Sequence, residues 1–133
     1  MIDSAFPILE VPDIDAALAF YRDALGGVVE YQFPPEGEPV YLSLRVGASS
    51  LGIGLTESPL PAGNVMIWFY VDDVDHVTAE LAGAGARAGA GAGGTIVEEP
   101  ADQVWGERTA LITDPFGTRL WIAAAISPPP DKE

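Results

Sequence analysis

The sequence predicts an α+β fold made of two βαβββ modules whose open sheet faces pair around a trough. Three observations point there. Two stretches repeat one another, "FPILEVPDIDAALAFY" from Phe6 and "MIWFYVDDVDHVTAEL" from Met66, with Val11-Pro12-Asp13-Ile14-Asp15 aligned on Val71-Asp72-Asp73-Val74-Asp75. Each repeat changes from an alternating to a helical period at its aspartates. Each helical stretch is then followed by further strand-like segments. One such unit leaves a sheet face uncovered by its helix, and a second copy can cover it.

The elements follow in order. In the first strand Pro7, Leu9 and Val11 share one side, and Phe6, Ile8 and Glu10 the other. In its twin, Ile67, Phe69 and Val71 oppose Met66, Trp68 and Tyr70. Ile14, Leu18, Tyr21 and Leu25 recur at helical spacing, as do Val74, Val77 (or Thr78) and Leu81. Asp13 and Asp73 stand at N-cap positions, and Asp15 and Asp75 add charge near the positive helix ends. Gly26-Gly27 ends the first helix, and Gly83-Ala84-Gly85 dissolves the second.

After the first helix come "VVEYQF", the turn "PPEGEP", "VYLSLRV", the turn "GASS" and "LGIGLT". Leu42, Leu44 and Val46 belong on the helix side, so Tyr41, Ser43 and Arg45 share the inner face. After the second helix come the low-complexity connection "GARAGAGAGG", "TIVEE", the loop "PADQVWGE", "RTALIT", the type I turn "DPFG" and "TRLWIAAA". The reading is one domain over 1–127: module one 5–57, connector 58–64, module two 65–126, then a flexible tail 128–133.

The totals restrict function. With 133 residues, 48% of them hydrophobic, there is material for one core. Cysteine is absent, which removes disulfides and thiolate chemistry and suits a reducing compartment. No basic leader and no long apolar run stands at the N-terminus, so the expected location is the cytoplasm. Twenty acidic residues against six basic ones give a net charge of −14, which repels nucleic acid and anionic membranes and attracts cations.

"VPDIDAALAFYRDALGG", "YVDDVDHVTAEL" and "WGERTALITDPFGTRLWI" together resemble the vicinal oxygen chelate superfamily, over about residues 5 to 124. This superfamily includes glyoxalase I, extradiol dioxygenases, fosfomycin-resistance enzymes and bleomycin-resistance proteins. The resemblance implies the glyoxalase/bleomycin-resistance fold and an open half-barrel cleft. It also implies metal ligands five residues before each repeated valine, four after the glycine of the late turn, and on the strand before the connector. Here those places hold Phe6, Met66, Trp121 and Gly52 or Gly54. None offers the carboxylate or imidazole donors that hard or borderline cations need. The expectation is therefore no metal, no cofactor and no catalytic residue. The lone histidine, His76, opens the second helix as a surface residue.

The former ligand places have become large and aromatic. Phe6, Trp68, Tyr70 and Trp121 point inward by alternation, Tyr31 and Phe33 form a wall, and Trp105 sits in a loop. Phe6 and Trp121 either fill the volume that a metal leaves or touch a ligand. Glu10 either pairs with Arg45 or Arg119 or meets a cationic ligand. The candidate ligand-binding set is Phe6, Glu10, Tyr31, Phe33, Tyr41, Ser43, Trp68, Tyr70, Trp105 and Trp121.

Within the superfamily, "NVMIWFYV" and "VWGERTAL" are most similar to the metal-free bleomycin-resistance proteins. That similarity implies a homodimer that sequesters a planar, often cationic antibiotic without turnover. Two alternatives stay open. One is an enzyme without metal, or with an atypical one, drawing on Glu10, Tyr41, Tyr70 or Ser43 for acid–base work. The other is a family member with a different metabolite as ligand.

Overall fold

The computed structural model describes residues 1, 3–59, 65–88 and 93–126. The chain divides into two compact units, Met1–Pro61 and Ala62–Glu133. The expected connector lies in part, and the expected tail wholly, outside the described residues.

The first unit runs β1 (Ile8–Val11), α1 (Ile14–Leu18), a π-helical turn (Ala19–Ala24), β2 (Val28–Phe33), β3 (Tyr41–Val46) and β4 (Ser49–Leu55). Its sheet has the order β1-β4-β3-β2, with β1 and β4 parallel and the other pairs antiparallel. The second unit runs β5 (Met66–Tyr70), α2 (Val74–Ala88), β6 (Thr95–Asp102), β7 (Glu107–Thr113) and β8 (Arg119–Ala125). Its sheet order, β5-β8-β7-β6, repeats the same topology, with β5 and β8 parallel. Each unit is thus βαβββ, as the duplicated sequence predicts.

The helix starts are set by the paired aspartates. Asp13 Oδ1 accepts the Ala16 N–H at 3.1 Å, and Asp73 Oδ1 accepts the His76 N–H at 3.1 Å. Each satisfies a first-turn donor that the helix itself leaves free. Asp73→Ala should therefore cost about 1 kcal/mol of stability, read as a lower urea midpoint, with the topology intact. In the first unit α1 packs on β4, and Val11, Ile14, Ala17, Phe20, Tyr21, Leu42, Leu44, Leu51 and Ile53 form the core. In the second, α2 packs on β6, β7 and β8, burying Val74, Leu81 and Ala84 with Ala110, Ile112, Leu120 and Ile122.

Four expectations are corrected. Phe6 lies before β1, because Pro7 offers no N–H and its carbonyl is the last group paired, accepting from Gly52 at 2.9 Å. The first helix changes to π geometry after Leu18, and the Leu25 N–H reaches the Phe20 carbonyl at 3.0 Å. Gly26 then ends it at φ +94°, where glycine alone is unstrained. The second helix does not dissolve at Gly83 but continues to Ala88. Alternating alanines, the best helix formers, offset a glycine cost of about 1 kcal/mol each. Among the described residues of the expected low-complexity connection 85–88 is helical, and 89–92 lies outside them. Finally, β6 runs on through Pro100 to Asp102. It is an edge strand and shifts register between Glu98 and Ala101, which is where a sheet tolerates proline.

Candidate functional site

The second sheet carries its chemistry on the face turned away from α2. Register places Trp68 beside Trp121 and Tyr70 beside Ala123, with Leu111 and Thr109 on the next strand. Strand alternation puts all of them on one side. Trp121 and Trp68 lie 5.7 Å apart at 32°, and Trp68 and Tyr70 6.2 Å apart at 57°, an unbroken row of three rings. Trp68 is 42% and Tyr70 69% exposed.

The row is extended by a hairpin. Gly106 (φ +96°) closes the turn between β6 and β7, with its N–H on the Gln103 carbonyl at 3.1 Å. This brings the exposed Trp105 back so that its Nε1 donates to Glu107 Oε1 at 2.8 Å. Glu107 also acts on the Tyr70 phenol, holding its proton and raising its pKa. On the opposite face Arg108 is directed to the helix side, bonding Asp75 at 2.9 and 3.0 Å and Asp102 at 2.9 Å. The guanidinium holds the Asp75 carboxyl below its ordinary range.

The first sheet is similarly arranged. Ile8 and Glu10 pair with Gly52 and Gly54, which pair with Ser43 and Tyr41, which pair with Tyr31 and Phe33. Tyr31, Phe33, Ile8 and, just before β1, Phe6 are all about half exposed, at 51–53%. Tyr31 and Tyr41 lie 6.1 Å apart. A bulge between Val29 and Tyr31 inserts Glu30, whose carboxylate turns to this same face. Its Oε2 accepts the Ser50 hydroxyl at 2.7 Å and the Ser43 hydroxyl at 3.0 Å. Arg45 stands 3.9 Å from Oε1. Glu10 makes no ion pair among the described residues, so of its two expected arginines Arg45 serves Glu30 instead.

The serine hydroxyls, Ser50 first, then Ser43, with Arg45 as a smaller influence, hold Glu30 below its ordinary pKa of 4.5. The sign of the linkage follows. The bonds contribute stability above the unfolded pKa, and that contribution is lost as pH falls through the lower folded value. Glu30→Gln should therefore flatten the acid side of the stability–pH curve below about pH 4.5 and leave its shape near neutrality unchanged, as read by urea midpoints across that range.

The donor positions that the fold family uses for a metal do not fit one here. Trp121 Nε1 donates to Met66 Sδ at 3.3 Å, so two of those positions are bonded to each other. A Cβ on Gly52 would lie 2.7 Å from the Tyr41 hydroxyl and 2.9 Å from Ile8 Cγ1, so the space of a third is taken by the Tyr41 ring. Among the described residues no group of three or more His, Asp or Glu side chains is placed to hold an ion. His76 is exposed at the start of α2.

Two site-face carboxylates escape sequence reasoning, Glu30 and Glu107. The first is reoriented by a one-residue bulge. The second shows only as a Trp-Gly-Glu spacing across a turn, which becomes a contact once the turn closes.

Two βαβββ units, each with exposed aromatic residues on one sheet face, define a protein of the duplicated-module class. The family model of the Glyoxalase/Bleomycin resistance protein/Dioxygenase superfamily matches residues 5–122, and the chain belongs to that superfamily. An uncharacterized Mycobacterium bovis protein, Mb0911c, is 30% identical over 123 residues, covering 84% of this chain and 76% of that one. CFP32 of M. bovis, whose name assigns it provisionally to the glyoxylases, is 32% identical over 120 residues; the match covers 89% of this chain but 41% of CFP32. Among solved structures, the bleomycin-binding protein of bleomycin-producing Streptomyces verticillus, in complex with copper(II)-bleomycin, superposes with a TM-score of 0.60. It is 25% identical, with 94% of this chain and 98% of that one covered.

Proposed function

We propose that this protein binds a planar, often cationic small molecule of bleomycin type and holds it unchanged, without metal or cofactor. It acts as a cytoplasmic homodimer whose modules form one domain. The carrying observation is the exposed row Trp121–Trp68–Tyr70, extended by Trp105. Amphipathic rings in a row suit a flat partner, order at low entropy cost, and contribute about 0.5–1.5 kcal/mol per ring pair beyond burial. The absence of fitting donors at the family's metal positions supports binding over metal-assisted chemistry. Likeness to a bleomycin-binding protein supports the ligand class. Exposed apolar residues gathered on one face of a sheet mark a surface meant to be covered, which favours a second copy. The charge of −14 steers cations inward at low salt.

The test is a thermal-shift panel with metal-free bleomycin and mitomycin C, followed by mass analysis of the recovered compound. A bound ligand raises the melting temperature by mass action, equivalent to about 2.7 kcal/mol at a hundred times Kd. The expected result is a shift with unchanged ligand mass. A modified product would transfer the protein to the enzyme reading, with Glu10 and Tyr70 as the first groups to substitute. No shift with either compound would remove the bleomycin-type assignment.

A further inference from the structure

We infer that Glu107 is the anionic anchor of the aromatic row: its carboxylate receives an ammonium or similar cationic group of the ligand, between Trp105 and Tyr70, while the flat body lies on Trp68 and Trp121. The assignment rests on the binding reading above and names the charge that the site selects.

Geometry carries it. Glu107 opens β7 and pairs with Ala125 of β8, two residues along from the Ala123 that pairs with Tyr70. The strand between Tyr70 and Glu107 therefore presents alanine at both places on this face, and no side chain of β8 screens one from the other. The Trp105 indole is bound to this carboxylate through its N–H at 2.8 Å, and the carboxylate also raises the pKa of the Tyr70 phenol. The indole's donor is used on the carboxylate, and a cation that reaches it also meets aromatic rings whose π faces attract it.

Among the described residues no basic side chain neutralises the group. The adjacent Arg108 faces the other side of the sheet, engaged by Asp75 and Asp102. Among the described residues Glu107 has no ion pair. A half-buried carboxylate with aromatic neighbours and no counter-charge gains more from an arriving cation than an exposed one does, because less water screens the pair. A neutral ligand of the same shape collects only the stacking.

The experiment compares proflavine, a planar cation, with acridone, an uncharged tricycle of similar outline, by quenching of tryptophan emission. Wild type should bind proflavine about tenfold more tightly than acridone, with the difference shrinking at high salt. Glu107→Gln keeps a carbonyl oxygen for the Trp105 indole and removes the charge. It should lose that tenfold preference and bind acridone as wild type does, which also reports an intact row. Glu107→Ala removes the indole's acceptor as well and should weaken both dyes. The inference is overturned if Glu107→Gln keeps the preference, or if it loses both dyes equally. It is also overturned if wild type binds acridone and proflavine alike, which leaves the stacking reading standing. If neither dye quenches the wild type, the stacking reading falls and the anchor with it.

Discussion

Trp68→Ala is expected to weaken binding of a planar cation such as proflavine by about thirtyfold, roughly 2 kcal/mol, the level of a buried aromatic anchor in a binding surface. Trp68 is the middle ring, in contact range of both Trp121 and Tyr70, so its loss breaks the row in two and removes a stacking partner from each neighbour. The fold should survive. The side chain stands on the exposed face, while Ile67 and Phe69 on the other side of β5 are partly buried toward the helix side. Titration of the dye against wild type and variant checks the loss, and a thermal melt checks the fold. Equal affinity with an unchanged melt would mean that the ligand site is elsewhere on the molecule.

The largest effect on stability is expected from Phe20→Ala. Phe20 is fully buried, packed edge-on against the equally buried Tyr21 at 4.8 Å between ring centres. Truncating a buried phenylalanine loses its transfer free energy and leaves a cavity, together about 3–5 kcal/mol. In a chain of this size that corresponds to a fall in melting temperature of roughly ten degrees or more. Scanning calorimetry of wild type and variant measures it. A drop of under two or three degrees, about 1 kcal/mol, would show that the π turn can collapse onto the gap.

The fold was legible because the chain states its plan twice and in local terms. Asp13 and Asp73 cap whichever helix begins beside them, and alternation in "MIWFY" or "YLSLR" assigns a face without knowledge of the partner strand. The π turn was not legible. Moving a hydrogen bond from the fourth to the fifth residue back changes no residue type, and Ile14, Tyr21 and Leu25 satisfy the helical spacing either way. Nor was the length of α2, where glycines that usually mark an end were outweighed by alanines and by the burial of Leu81 and Ala84.

Of the candidate site, the aromatic faces followed from strand period alone. What a period cannot supply is the second partner of each polar group. Trp105 stands in a turn, and its contact with Glu107 exists only once Gly106 adopts positive φ. Ser43 points as alternation requires, but the carboxylate it serves belongs to a residue that strict alternation places on the other face.

That residue has a consequence for how this surface can be edited. Because Val29 already pairs with Leu44 and Tyr31 with Ser43, Glu30 is an insert in an otherwise continuous ladder. Excising its codon would heal the strand without turning Tyr31 or Phe33 around. Evolution or an engineer can thus strip the negative charge from this wall in one deletion and keep its shape. Length, as well as composition, is a tunable variable of the surface.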